Sequence, residues 1–145
     1  SCYTLNILHI HSMKHNWLLE ELIKNGHKAT TPRRVITEYL VKQEGLFCAL
    51  TMARKMNKVD QVSIYRTLEI MKDLELINPV VNIDGQQFYE KNGDDDHHHH
   101  IICTNCKKTK CVDCKHDEIP KIPGFSNVRH SFILTGLCTV CKNKV

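Results

Sequence analysis

Eight cysteines and ten histidines stand out in this chain of 145 residues. Thiolate sulfur and imidazole nitrogen are the donors that zinc and neighbouring transition metals prefer. Six of the cysteines form three C-x2-C pairs, Cys103/Cys106, Cys111/Cys114 and Cys138/Cys141, and four histidines run consecutively from His97 to His100. In a secreted chain an even cysteine count suggests disulfides, but this grouping is a metal-ligand pattern. The x2 spacing lets both sulfurs of one turn reach a single ion, so Cys103, Cys106, Cys138 and Cys141 are expected to hold a structural zinc. A local set of Cys103, Cys106, Cys111 and Cys114 ranks second, because it leaves Cys138 and Cys141 outside the site.

The histidine run enters an apolar stretch, which reads as a strand over residues 97–103. Alternate side chains on a strand point to opposite faces, so His97 and His99 face one way and His98 and His100 the other. One tetrapeptide can therefore serve two metal sites. Each pair of imidazoles needs further ligands, and Glu90, Cys111, Glu118 and His130 are the candidates. Neither an H-E-x-x-H pattern nor an H-x-E with P-C-x-x-C pattern is present, which disfavours a zinc enzyme. A metal-storage or chaperone protein is the rival from another class.

Positioning these ligands falls to two regions of different chemistry. Only Cys2 and Cys48 lie in the first 80 residues, which carry net charge +3 of the chain's +4. A modestly basic front half permits nucleic-acid binding. No apolar run reaches the length of about 18 residues that a membrane helix needs, and no signal-peptide pattern is visible, so a soluble cytoplasmic protein is expected.

Residues 1–15 are expected to form a flexible arm, followed by helices whose starts and stops are written in the chain. Trp17, Leu18, Leu22 and Ile23 repeat at helical spacing and Asn25-Gly26 stops them; Thr31-Pro32 starts a second helix with Val35, Ile36, Tyr39 and Leu40 on its apolar face. A third helix is expected over 49–56. Asp60 caps a fourth, with Val62, Tyr65, Leu68, Met71 and Leu74 on the buried side and Gln61, Ser63, Ile64, Arg66 and Thr67 facing outward. The period then changes to that of strands around Asp84-Gly85, a strong hairpin signal. Short helices ending in a hairpin describe a winged helix, in which the helix before the hairpin enters the major groove.

The predicted organisation is therefore α+β: an N-terminal winged-helix domain over 16–91, a polar hinge over 92–96, and a small α/β metal-binding domain over 97–145. A strand is expected over 131–137, and Pro120 and Pro123 limit any helix between the strands.

The order of these motifs carries a resemblance. Gly26-His-Lys-Ala-Thr-Thr-Pro-Arg-Arg34, Val62-Ser-Ile-Tyr-Arg-Thr-Leu68, Asp84-Gly-Gln-Gln-Phe-Tyr-Glu90, His97-His-His-His-Ile-Ile-Cys103-x2-Cys106, then His130 and Gly136-Leu-Cys138-x2-Cys141 together resemble the ferric uptake regulator family of metal-responsive repressors. The likeness implies a cytoplasmic homodimer whose C-terminal domain dimerises and which binds double-stranded operator DNA, with no membrane and no small organic ligand among its partners. It implies a structural zinc on the four cysteines above, a regulatory metal site of Glu90, His98, His100 and Cys111, and an additional site of His97, His99, Glu118 and His130. It maps DNA contacts to Lys28, Arg34, Ser63, Tyr65 and Arg66. Where many iron and peroxide-responsive members carry a histidine before the third helix, this chain has Leu46, with Cys48 two residues on.

Cys111 stands where those members usually place a carboxylate. Sulfur with imidazole favours zinc, whereas ferrous and manganous sites are richer in oxygen. The expected function is a zinc-responsive repressor of metal-uptake genes, with iron or manganese at the regulatory site, or a peroxide-responsive regulator, as alternatives within the family.

Overall fold

A computed structural model describes residues 15–92, 98–115, 120–128 and 130–144. Residues 1–14 of the arm expected over 1–15, most of the hinge, His97 and Glu118 lie outside the described residues. The described residues fall into two compact units, one of residues 15–92 and the other of those from 98 onward.

The N-terminal unit begins with α1 (Trp17–Lys24), whose N-cap Asn16 accepts a hydrogen bond from the Leu19 amide. Gly26 ends the segment at φ +84°, a left-handed conformation that glycine adopts without a Cβ penalty. Helix α2 (Thr31–Lys42) starts one residue earlier than the Thr31 cap expected from sequence: Thr30 is the N-cap, and its hydroxyl accepts from the Arg33 amide. Proline in the first turn costs no hydrogen bond, so either threonine is compatible with Pro32. Strand β1 (Phe47–Cys48) leads into α3 (Ala49–Lys55), and α4 (Gln61–Asp73) follows.

Helix α4 is capped by Asp60, which accepts from the Ser63 amide at 2.9 Å and from the Ser63 hydroxyl at 2.7 Å. Its buried face differs from the one expected. Ile64, Thr67, Leu68 and Met71 are buried, while Val62 and Tyr65 are 55% and 52% exposed. At about 100° per residue, the positions 62, 65, 68, 71 and 74 drift about 240° around the helix and cannot share a face. Positions 64, 67, 68 and 71 fall within about 100° and can. The two stripes share Leu68 and Met71, and packing against α2, α3 and β2 selects the second.

The same selection acts on α2, where Ile36, Thr37, Leu40 and Val41 are buried and Val35 is exposed. Fully buried Leu18, Leu22, Ile36, Leu40, Met52, Ile64, Leu68, Met71 and Ile77 form one continuous core. Each such side chain contributes about 1.5–3 kcal/mol relative to exposure.

Strands β2 (Ile77–Ile83) and β3 (Gln86–Lys91) form the wing, with Ile83 paired to Gln86 across a two-residue turn. Asp84 and Gly85 have φ of 52° and 79°, the paired left-handed conformations that match the twist of a hairpin. Strand β1 joins the other edge of β3, and Phe47 stacks on its partner Tyr89. Three helices, a short strand, the capped α4 and the wing make this unit a winged helix.

The C-terminal unit is a three-stranded sheet in the order β5-β4-β6. Central β4 (His98–Cys103) runs antiparallel to β5 (Thr109–Asp113) and parallel to β6 (Ile133–Gly136). A four-residue helix, α5 (Thr139–Lys142), follows. Strand β5 and helix α5 were not anticipated; both are too short for a periodic signal. Among the described residues between the last two strands, 120–128 form no helix. This unit has little apolar core: among its described residues, the buried hydrophobics are Ile102, Cys103 and Cys141. Something other than hydrocarbon burial must hold it together. The structure as a whole is α+β.

Candidate metal centres

The first centre is built by the register of the C-terminal sheet. Cys103, the last residue of β4, pairs with Gly136 in β6. The 35 positions between the two knuckles thereby collapse to adjacent strand ends. Cys103 and Cys106 lie on a tight turn closed by the Lys107 amide donating to the Cys103 carbonyl at 2.9 Å, with Lys107 at φ 65°. Cys138 and Cys141 lie on the first turn of α5, where the Lys142 amide donates to the Cys138 carbonyl at 2.8 Å.

The ligand atoms of Cys103, Cys106, Cys138 and Cys141 all lie within 4.8 Å of one another. Cys106 Sγ and Cys138 Sγ are 3.8 Å apart, far outside a disulfide bond. A zinc–sulfur bond of about 2.3 Å gives a tetrahedral edge of about 3.8 Å. The acid–base chemistry agrees with that geometry. Backbone amides, that of Cys138 foremost and then that of Cys106, hold the Cys103 thiol down at about 6. The Lys108 amide acts likewise on Cys106, but desolvation and the Cys103, Cys141 and Cys138 sulfurs outweigh it and push that thiol up to about 11. Four sulfurs this close cannot all ionise on their own, and a divalent cation resolves the conflict. The donor set fits zinc.

Two further centres lie on β4, and the alternation of its side chains separates them. His98, His100 and Cys111 form one group, and His99, Cys114 and His130 another, each with its ligand atoms within 4.8 Å. His100 pairs directly with Cys111 on β5, and the His98 and His100 rings meet edge to face at 4.6 Å between centroids. In the second group Cys114 Sγ lies 3.4 Å from His130 Nε2, and the His99 and His130 rings are 5.3 Å apart. The His99 ring is anchored by the Phe132 amide, which donates to Nδ1 at 3.1 Å. His99 and His100 are both buried.

The structure thus places Cys111 with His98 and His100, and His130 with His99. It brings Cys111 and Cys114 to two different groups and not to the first centre, so the local four-cysteine alternative does not form. Cys114 was missed by sequence reasoning. The signal was available, since an odd separation on extended chain sends Cys111 and Cys114 to opposite faces. Glu90 is half-buried on β3, opposite Asn78, and belongs to the N-terminal unit. Leu46 is a buried core residue there, and Cys48 is fully buried with its sulfur 3.5 Å from the Thr51 hydroxyl.

The residues expected at DNA are mostly exposed. Tyr65 and Arg66 project from α4, and Lys28 from the loop before α2. Arg34 is exposed, and its Nε donates to the Ala29 carbonyl at 3.1 Å. Ser63 is half-buried and spends its hydroxyl proton on the Asp60 cap. Ile64 and Thr67, expected to face outward with them, are core residues.

Comparison with known proteins follows the same outline. The model of the ferric uptake regulator family matches residues 24–134. The ferric uptake regulation protein of Staphylococcus epidermidis is 30% identical over 138 residues, covering 91% of this chain and 99% of that protein. The protein of the same name from Campylobacter jejuni is 27% identical over 93% of this chain and 95% of its own length. Among solved structures, the ferric uptake regulator of Vibrio cholerae shares the fold with a TM-score of 0.65 at 22% identity, over 82% of this chain and 98% of that one. A zinc-bound manganese uptake regulator has a TM-score of 0.58 at 25% identity, over 83% and 98%.

Proposed function

Because the chain belongs to the ferric uptake regulator family, we propose that it is a repressor that binds double-stranded operator DNA as a homodimer when its regulatory metal site is loaded, and that the regulatory ion is zinc. Metal-responsive regulation is the family's activity; the choice of ion is specific to this chain. The observation that carries it is the sulfur of Cys111 grouped with the imidazoles of His98 and His100. Two nitrogens and a thiolate suit zinc better than ferrous or manganous ion, which favour oxygen. The family resemblance implies Glu90 as a further ligand of this set, and His97 and Glu118 as further ligands of the group of His99 and His130.

The bound ion would supply a fixed charge and a coordination shell. What the chain's own residues do is offer ligands whose geometry is complete in one conformation of the protein. Metal then shifts the DNA-binding equilibrium only by its differential affinity for the two conformations. Arg66 and Tyr65 on α4 would read the major groove while Lys28 meets phosphate. Affinity would fall as salt rises.

A DNA-binding titration of the protein with its cysteine site filled tests the reading. Promoter DNA should be retained with added zinc and released by a chelator, with ferrous and manganous ions less effective. Equal binding by the apo and zinc-loaded forms would sink the regulator reading. Stronger activation by ferrous or manganous ion would assign the ion otherwise. Retention of metal with no preference for any DNA would favour storage.

A further inference from the structure

We propose that Cys114 is a metal ligand, and that the Cys111-Val-Asp-Cys114 motif divides its two sulfurs between metal sites on opposite faces of the C-terminal sheet. The first sulfur joins His98 and His100; the second joins His99 and His130. Both sites are then soft, each with two imidazoles and one thiolate.

Three observations support this division. Cys111 lies in β5 and Cys114 directly follows its last residue, Asp113, so the alternation of the strand carries the two sulfurs to different groups. Strand β4 makes the same division of its histidines, one residue at a time, so each sulfur meets imidazoles on its own face. Finally, the 3.4 Å between Cys114 Sγ and His130 Nε2 matches the sulfur–nitrogen edge of about 3.5 Å expected around a tetrahedral zinc.

The geometry also excludes the common alternative for a C-x2-C motif. Three residues of extended chain span about 10 Å between Cα atoms. A disulfide needs less than about 7 Å, and Cys111 and Cys114 are free thiols with their sulfurs in different ligand groups, so they are not a disulfide pair in this fold. A thiolate at position 114 also gives the His99 group a soft donor of its own, where the resemblance implied the carboxylate of Glu118. The ligand class is a thiophilic divalent cation of the zinc type.

The proposal rests on the reading of the histidine run as metal-binding, and its test separates the two. Full-length protein with zinc in the four-cysteine site is titrated with cobalt(II), whose thiolate charge-transfer absorption reports sulfur ligation. The native chain should take up two equivalents, each adding thiolate absorption. Cys114→Ser should lose about half of that absorption and Cys111→Ser the other half. If only Cys111→Ser lowers it, Cys114 is not a ligand and the regulatory reading stands. If neither variant changes it, both readings fail. A second measurement needs no variant: added zinc should slow alkylation of Cys114 in the native protein, read by peptide mass spectrometry. Alkylation at the same rate with and without zinc would overturn the proposal.

Discussion

Cys106 Sγ lies 3.8 Å from Cys138 Sγ although the two residues are 32 positions apart in the chain. The contact joins the turn after β4 to the first turn of α5, in a unit whose buried hydrophobics, among the described residues, are Ile102 and two of the cysteines. The four-sulfur cluster therefore stands where a larger domain would have its apolar core.

Loss of one of these sulfurs should accordingly unfold one unit and spare the other. Cys138→Ser is expected to lose an equivalent of tightly held zinc and the cooperative protection of the C-terminal sheet. Structural zinc sites supply about 10–16 kcal/mol in small peptides, more than a domain of this size can replace. Hydrogen exchange read by segment should show fast exchange across β4 and β6 with the core of the N-terminal unit unchanged.

Replacing Cys111 should alter metal preference more than stability. In Cys111→Ser a soft donor becomes a hard one at the site of His98 and His100. Zinc affinity there should drop by at least the roughly 10–100-fold that loss of an outer-shell partner costs, with manganese affinity changed less. Competitive titration against a chromophoric chelator measures both.

On α4, Ile64→Ala and Val62→Ala distinguish the two candidate stripes. Ile64 is fully buried, and its truncation should cost about 2–5 kcal/mol. Val62 is more than half exposed, and its replacement should stay within about 0.5 kcal/mol. Denaturant unfolding of each variant decides the matter, and equal losses would contradict the observed face.

Exposed side chains of the same helix should separate sequence reading from attraction to the backbone. Arg66→Ala is expected to cost about 1–3 kcal/mol on operator DNA and less on random DNA. Lys28→Ala should weaken both alike and lower the salt slope by about one. Anisotropy titrations at several salt concentrations compare them, and thermal melting should be unaffected.

Asp60 gives a pH dependence of known sign. The Ser63 hydroxyl and amide hold its carboxyl below the usual carboxylate range. A depressed folded value means that the cap stabilises the protein above about pH 4 and that this contribution is lost as pH falls through the folded value. Asp60→Ala should melt at a lower temperature than the native chain at neutral pH, and the two midpoints should converge in acid.

Much of this protein was legible in the chain because the relevant rules are local. The cap at Asp60, the Asp84-Gly85 turn and the alternation of His98, His99 and His100 each depend on neighbours within a few residues, where covalent geometry does the work. The pairing of Cys103 and Cys106 with Cys138 and Cys141 was also readable, since tetrahedral zinc restricts which spacings can close a site. What stayed ambiguous were choices between locally equivalent options. Val62 and Ile64 each begin an apolar stripe through Leu68 and Met71, and only packing among four helices chose Ile64 for the core. Cys111 could be assigned beside His98 and His100, but Cys114 had no place until the tertiary fold brought His130 and His99 to its sulfur. Sequence alone determined which donors this protein has and the periods on which they are spaced; the sheet decided which donors meet, because that depends on strands whose pairing no short window of sequence contains.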